Sequence, residues 1–256
     1  MSATPLDDFL HAIPKVELHC HLFGTVRQAT FEALNARAGS PLAAEEIQGF
    51  YTRGEKPVGV LRVLRALDAE LVRTPDDLRQ LTYEYLQDAA SHNVRHAEFF
   101  WNPTGTVHES GMAYRAAQDA IVRAIRDAQK DLGIAGRLIA AIDREASPEA
   151  AVEMVDWVLA NRADEVIGIG IDYREVDRPP EMFLEAYRRA REGGLKTTAH
   201  AGEFGMPWTN VRTAVEMLQV DRIDHGYTVV DQPDFARECA ERGLIFTVVP
   251  TNSYYL

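Results

Sequence analysis

Short apolar runs alternate with helical stretches along the whole chain, and this rhythm constrains the fold more than any other feature. The runs are Val16 to His21, Val94 to Trp101, Arg137 to Asp143, Val166 to Asp172, Leu195 to His200, Arg222 to His225 and Leu244 to Val249. The punctuation between them suits helices. Ser147-Pro148-Glu149 offers an N-cap hydroxyl with proline at the first helical position, and the helix it opens is expected to reach about Asn161. Pro179-Pro180-Glu181 opens another, closed by Gly193-Gly194. Further helices are expected over Gly111 to Leu132, Val211 to Leu218 and Pro233 to Arg242. Ahead of the first strand, Pro5 to Ile13 reads as a short helix with Asp7 and Asp8 in its first turn, where the helix dipole favours negative charge. Strands that alternate with helices build a parallel sheet. So many units without a Gly-rich phosphate loop favour an α/β fold of the (β/α)8 TIM-barrel type over a doubly wound sheet.

Thr25 to about Asn93 is too long for one crossover and reads as helical, with interruptions at Gly39-Ser40-Pro41 and Arg53 to Pro57. A helical lid or insertion over about residues 25–93 is the expectation, within a single domain spanning residues 1–256. Seven strands are legible where a closed barrel needs eight, and an open barrel leaves two unpaired edges. The chain is therefore expected to be a fragment that ends after strand seven, with strand eight absent.

With 256 residues, 46% of them hydrophobic, the chain can bury one sizeable core. Its formal net charge of -12 offers no counterion-release term for a polyanion, so nucleic acid is excluded as a partner and a small molecule is favoured. Cys20 and Cys239 lie far apart and lack a CxxC spacing, which suggests neither a disulfide framework nor a thiolate metal site. There is no basic segment followed by an apolar run at the N-terminus, and no stretch of about 18 apolar residues. A soluble, cytoplasmic protein without membrane contact is expected. Nothing in the sequence sets its oligomeric state.

The chemistry-bearing residues sit at strand ends. In His19-Cys20-His21 the two imidazoles, two residues apart on a strand, share one face while Cys20 takes the other. At the end of the first barrel strand that face meets the active-site rim. His200-Ala201-Gly202-Glu203 places a third imidazole and a carboxylic acid just after the fifth strand. Three neutral imidazoles leave room on a metal for a carboxylate and a water, whose pKa the metal lowers towards neutrality. Asp224-His225-Gly226 ends the sixth strand; His225 can orient that water, and Asp224 can fix the tautomer of His225 or support the rim. A binuclear site bridged by a modified lysine is not favoured, because no lysine falls at a strand end. No Gly-x-Ser-x-Gly elbow, Walker loop or Gly-x-Gly-x-x-Gly fingerprint is present.

Pro14-Lys15-Val16-Glu17-Leu18-His19-Cys20-His21, His200-Ala201-Gly202-Glu203 and Arg222-Ile223-Asp224-His225-Gly226 together resemble the adenosine deaminase family of metal-dependent aminohydrolases. The likeness runs the length of the chain and is distinct from the zinc deaminases marked by H-x-E and P-C-x-x-C. It implies one Zn2+ held by His19, His21 and His200. Glu203 would protonate the purine ring nitrogen beside the attacked carbon, His225 would help activate the water, and ammonia would leave from C6. Gly170 or Asp172, at the end of strand four, corresponds to a region that contacts the purine.

Phe23 stands where the family usually has an acidic residue two positions after the second histidine. With Phe99, Phe100 and Trp101 it suggests an apolar patch for a purine base or nucleoside: adenine, an N6-substituted adenine or a 5′-modified adenosine. Asp172-Tyr173-Arg174-Glu175 and Val94 to Pro103 lean towards the adenine deaminase branch. The family's fourth ligand, the first of two adjacent aspartates on strand eight, is not in this sequence. The resemblance therefore implies weaker metal binding and little activity for the 256-residue form. Rival readings are a metal hydrolase of another C–N or ester bond, and an inactive binding relative.

Overall fold

The structure, a computed structural model, describes residues 4–52 and 60–250. The chain runs α1 (Pro5–Ala12), β1 (Lys15–His21), α2 (Gln28–Arg37), α3 (Ala44–Tyr51), α4 (Val60–Ala66), α5 (Pro75–Ser91), β2 (Val94–Trp101), α6 (Pro103–Ser110), α7 (Tyr114–Leu132) and β3 (Ala135–Asp143). It continues with α8 (Pro148–Ala160), β4 (Val166–Asp172), α9 (Leu184–Glu192), β5 (Lys196–Ala201), α10 (Trp208–Thr213), β6 (Arg222–His225), α11 (Pro233–Glu241) and β7 (Ile245–Thr247). The seven strands form one parallel sheet in sequence order.

That sheet is curled into a nearly closed barrel. His19 on β1 reaches Thr247 on β7, its Nδ1 lying 3.1 Å from the hydroxyl and 3.3 Å from the carbonyl oxygen. Burial divides accordingly. Phe100, Ile139 and Ala141 form a small cluster inside the barrel. A larger one, containing Phe99, Trp101, Ile121, Ile125, Leu138 and Tyr187, fills the space between strands and helices. Strands buried on both faces read as continuous apolar runs, which is why β2 to β4 were legible from sequence. Each large side chain so buried contributes about 1.5–3 kcal/mol relative to exposure.

The helix starts follow their capping chemistry. Ser147 Oγ accepts the Ala150 N–H at 3.2 Å ahead of α8. Thr74 caps α5 in a reciprocal box with Asp77, whose carboxylate accepts the Thr74 N–H at 2.8 Å. One helix was not expected. Asn102-Pro103 ends β2, yet Pro103 also opens α6, which Gly111 closes at φ +71°. Its Thr-Gly-Thr-Val stretch lacks apolar periodicity, and Gly105 is needed there because a Cβ would collide with the Asp68 carboxylate.

The long excursion after β1 divides in two. α5 belongs to the barrel's outer layer: Tyr85 packs edge-on to Phe99 at 5.3 Å and donates to Glu17 Oε2 at 2.5 Å. α2 to α4 form the remainder, with Phe31, Leu34 and Ile47 buried in the main cluster. On α4, Arg65 donates to both oxygens of Asp143 at the end of β3, at 2.5 and 2.9 Å, and to Glu145 at 2.7 Å. The break at Gly39-Ser40 is real, both residues being left-handed; the one expected over Arg53 to Pro57 lies outside the described residues. Among the described residues, no helix is long and apolar enough to cross a membrane.

Candidate metal centre

Three imidazoles meet at the C-terminal end of the barrel. His19 and His21 each bring Nε2 to 3.0 Å from Nε2 of His200. Zinc held at about 2.0–2.1 Å by tetrahedral nitrogens separates them by roughly 3.3 Å, so these three edges fit a metal with little movement. Among the described residues they form a group whose ligand atoms all lie within 4.8 Å of one another. Two of the three are held neutral. Burial lowers His19 to about 4, against the opposing pull of Asp224. Burial and the neighbouring imidazoles hold His200 well below the ordinary histidine range. Ring nitrogens crowded at 3.0 Å around a His200 held neutral invite a cation.

Behind the ring edges stand carboxylates. The Thr247 hydroxyl donates to Asp224 Oδ1 at 2.6 Å and faces His19 Nδ1 at 3.1 Å. With that hydroxyl accepting the Nδ1 proton, His19 is left with a lone pair at Nε2. His200 Nδ1 makes no hydrogen bond and lies 3.6 Å from Asp224 Oδ2. His21 Nδ1 lies 3.4 Å from Asp172 Oδ2, while Asn102 Nδ2 donates to the other oxygen at 3.1 Å. Such backing fixes ring orientation and raises ligand basicity.

Glu203 and His225 complete the mouth. Their side chains approach to 3.3 Å, Glu203 Oε2 to His225 Nε2, and His225 Nδ1 lies 3.2 Å from the Tyr227 hydroxyl. Burial raises Glu203 to about 7, with like charge from Glu175 adding to it, and lowers His225 to about 2. A carboxyl that keeps its proton near neutrality thus faces a neutral imidazole.

Several placements differ from expectation. Asp224 is fully buried and does not serve His225: it accepts from Thr198 Oγ1 at 2.6 Å and Arg222 Nε at 3.2 Å, and backs His19 and His200. Asp172 likewise turns to His21. Gly170 faces an aromatic ring, since a Cβ there would lie 2.8 Å from Phe100 Cε1. Phe23, in the short helical turn after β1, is buried in the main apolar cluster. Of the aromatic trio on β2, only Phe100 reaches the histidines, stacking on His21 at 4.9 Å. Phe99 turns to Tyr85, and Trp101 to Tyr114 and Thr106. Sequence reading missed Thr247, Asn102, Arg144 and Glu175. For Asn102, Arg144 and Glu175 a polar or ionisable residue just past the end of an apolar strand was the available signal.

The sequence model of the family described as adenosine deaminase matches residues 14–256. The chain belongs to the adenosine deaminase family. An adenine deaminase of Vibrio parahaemolyticus is 35% identical over 98% of this chain and 74% of its own length. One from Rhodospirillum rubrum is 34% identical over 97% and 74%. Among solved structures of the fold, a Burkholderia ambifaria amidohydrolase with bound Zn is 66% identical, with a TM-score of 0.95 over 100% of this chain and 70% of that one. The adenine deaminase of Arthrobacter aurescens is 33% identical, with a TM-score of 0.86 over 96% and 74%. The deaminase assignment and the barrel read from the sequence both stand.

Proposed function

We propose that this chain deaminates adenine hydrolytically, giving the 6-oxo purine and ammonia at a site that holds one zinc ion through His19, His21 and His200. The observation that carries this is the convergence of three imidazole edges beside a proton-bearing carboxyl, Glu203. The adenine deaminase relatives and the Zn-containing amidohydrolase support the reading. Zinc bound there supplies Lewis acidity that lowers the pKa of a coordinated water.

The chain's own residues do the rest. Glu203 holds a proton near neutral pH and delivers it to the ring nitrogen beside C6, making that carbon electrophilic. His225, neutral and 3.3 Å from Glu203, accepts a hydrogen bond from the attacking water and relays its proton to the departing amino group without keeping it. The C6–N bond then breaks: ammonia leaves with the proton first taken from the water, and the proton remaining on the C6 oxygen passes to Glu203, giving the 6-oxo product and restoring the acid. Asp224 and Asp172 orient the ligating rings from behind. Phe100, packed against Gly170, forms the floor beneath His21. With both cysteines unpaired, a reducing cytoplasm is the setting we propose.

Zinc-loaded protein offered adenine, adenosine and 5′-modified adenosines tests this directly. Ammonia release stoichiometric with adenine consumed is expected. Turnover of a nucleoside but not of adenine would move the substrate assignment, and rejection of every aminopurine would sink it.

A further inference from the structure

We propose that Arg144 and Glu175 form a buried ionic clamp that positions the metal ligand His200 and the acid Glu203 as one unit. This rests on the reading of His200 as a zinc ligand. The two residues leave β3 and β4 on adjacent loops, and both are buried, at 0% and 2% exposure. Arg144 Nη2 donates to the carbonyl of His200 at 2.6 Å. Glu175 Oε1 accepts the Gly202 N–H at 3.2 Å and the Asn210 amide at 2.8 Å, and its Oε2 accepts the Glu203 N–H at 3.3 Å. Between the two side chains, Arg144 Nη1 and Glu175 Oε2 are 3.9 Å apart.

The segment they grip needs such support. Gly202, Phe204 and Gly205 all take left-handed φ, at +68°, +52° and +71°, so strand β5 gives way to a turn that sheet pairing does not hold. The carbonyl of His200 and the amides of Gly202 and Glu203 are the backbone groups that set where the imidazole and the carboxyl point. Each is satisfied by one arm of the clamp. Side-chain freedom then leaves Glu203 only its own rotamers to reach His225 at 3.3 Å. A buried ion pair is an expensive way to fill space, and its best-attested use is to fix a unique arrangement. Here it fixes the distance between the site's metal ligand and its proton carrier. Arg144 and Glu175 are positioning residues; neither is placed against substrate.

Zinc affinity by chelator competition, thermal stability and steady-state kinetics of Glu175→Gln, Arg144→Met and the double variant test the clamp. A glutamine offers one acceptor oxygen where two amides need one each. The expected result is zinc affinity weaker by about 10–100-fold, the usual cost of losing groups that orient ligands, with kcat falling by more than KM rises. In the double variant no lone charge stays buried, so stability recovers while zinc affinity and kcat remain low. Recovery of all three together would show a merely structural pair and overturn the proposal. So would a folded Glu175→Gln protein with wild-type zinc affinity and kcat. Should the single variants fail to fold, the double variant, in which no lone charge stays buried, carries the test: wild-type zinc affinity and kcat there refute the clamp. Wild-type protein that binds no zinc would bring down the metal reading and the clamp with it, whereas equal binding by wild type and variants removes the clamp alone.

Discussion

Asp224→Asn separates what the carboxylate does for the fold from what it does for the metal. Asp224 accepts from Thr198 Oγ1 and Thr247 Oγ1, each at 2.6 Å, and from Arg222 Nε at 3.2 Å. An amide of the same shape has one accepting oxygen, so its NH2 must face a hydroxyl or the guanidinium. Losing one hydrogen bond to a charged group costs about 1.5–3 kcal/mol. Arg222 keeps its 2.6 Å bond to Glu98, which limits the damage. The metal effect is additional, because the same carboxylate lies 3.6 Å from His200 Nδ1 and 4.0 Å from His19 Nδ1. Removing such backing weakens metal binding by about 10–100-fold, equivalent to about 1.4–2.7 kcal/mol. Urea unfolding with and without a fixed excess of zinc reads both effects. The zinc-free protein should lose about 1.5–3 kcal/mol, and the extra stability conferred by zinc should shrink by a further 1.4–2.7 kcal/mol or so. If the zinc increment is undiminished in Asp224→Asn, the carboxylate serves the fold alone and the account of ring orientation is wrong.

Glu203→Gln keeps the volume but not the acid: kcat should fall by about 10²–10⁴-fold while metal analysis still finds zinc. For the wild type, the protonated form persists below about pH 7 and is lost above it, so activity should decline through that region; the residual activity of the variant should show no such limb. Gly170→Ala pushes a methyl against Phe100, with Cβ 2.8 Å from Cε1, and should cost about 1–3 kcal/mol in urea unfolding; an unchanged midpoint would mean slack beneath His21. Asp68, buried beside Thr106, is raised to about 7, chiefly by burial. A raised folded-state pKa contributes stability that is fully present below the ordinary carboxylate range and is lost as pH rises through about 7. Asp68→Asn should flatten the fall in stability between about pH 4 and 7, and an equally steep fall in the variant would assign it to another group.

Much of this architecture was legible because its signals are local. Ser147 and Pro148 announce a helix start through chemistry that acts within one turn, and the two-sided burial of β2 to β4 writes itself as unbroken apolar runs. The pair His19 and His21 followed from strand alternation alone. Less accessible was everything that depends on which strand neighbours which. Thr247 matters because it lies beside Asp224 in register and reaches across to His19, and no spacing within residues 244 to 249 marks it. Asp172 and Asn102 acquire their role from each other across the barrel mouth.

Asp224 and His225 show where alternation fails as a guide. Neighbours on a strand point to opposite faces, so an inward Asp224 implies a His225 turned out towards the helices. Yet the His225 ring lies 4.6 Å from His19 and 4.9 Å from His200. The backbone resolves the conflict: His225 adopts φ +68° and Gly226 φ +71°, which ends the strand and swings the ring into the mouth. A left-handed non-glycine residue costs roughly 1–3 kcal/mol, and Gly226 cannot relieve it by gaining a side chain, since a Cβ there would run into Phe246. The Asp-His-Gly sequence is thus read correctly only as a turn that places two consecutive polar residues on one side, Asp224 beneath the metal ligands and His225 beside the proton donor.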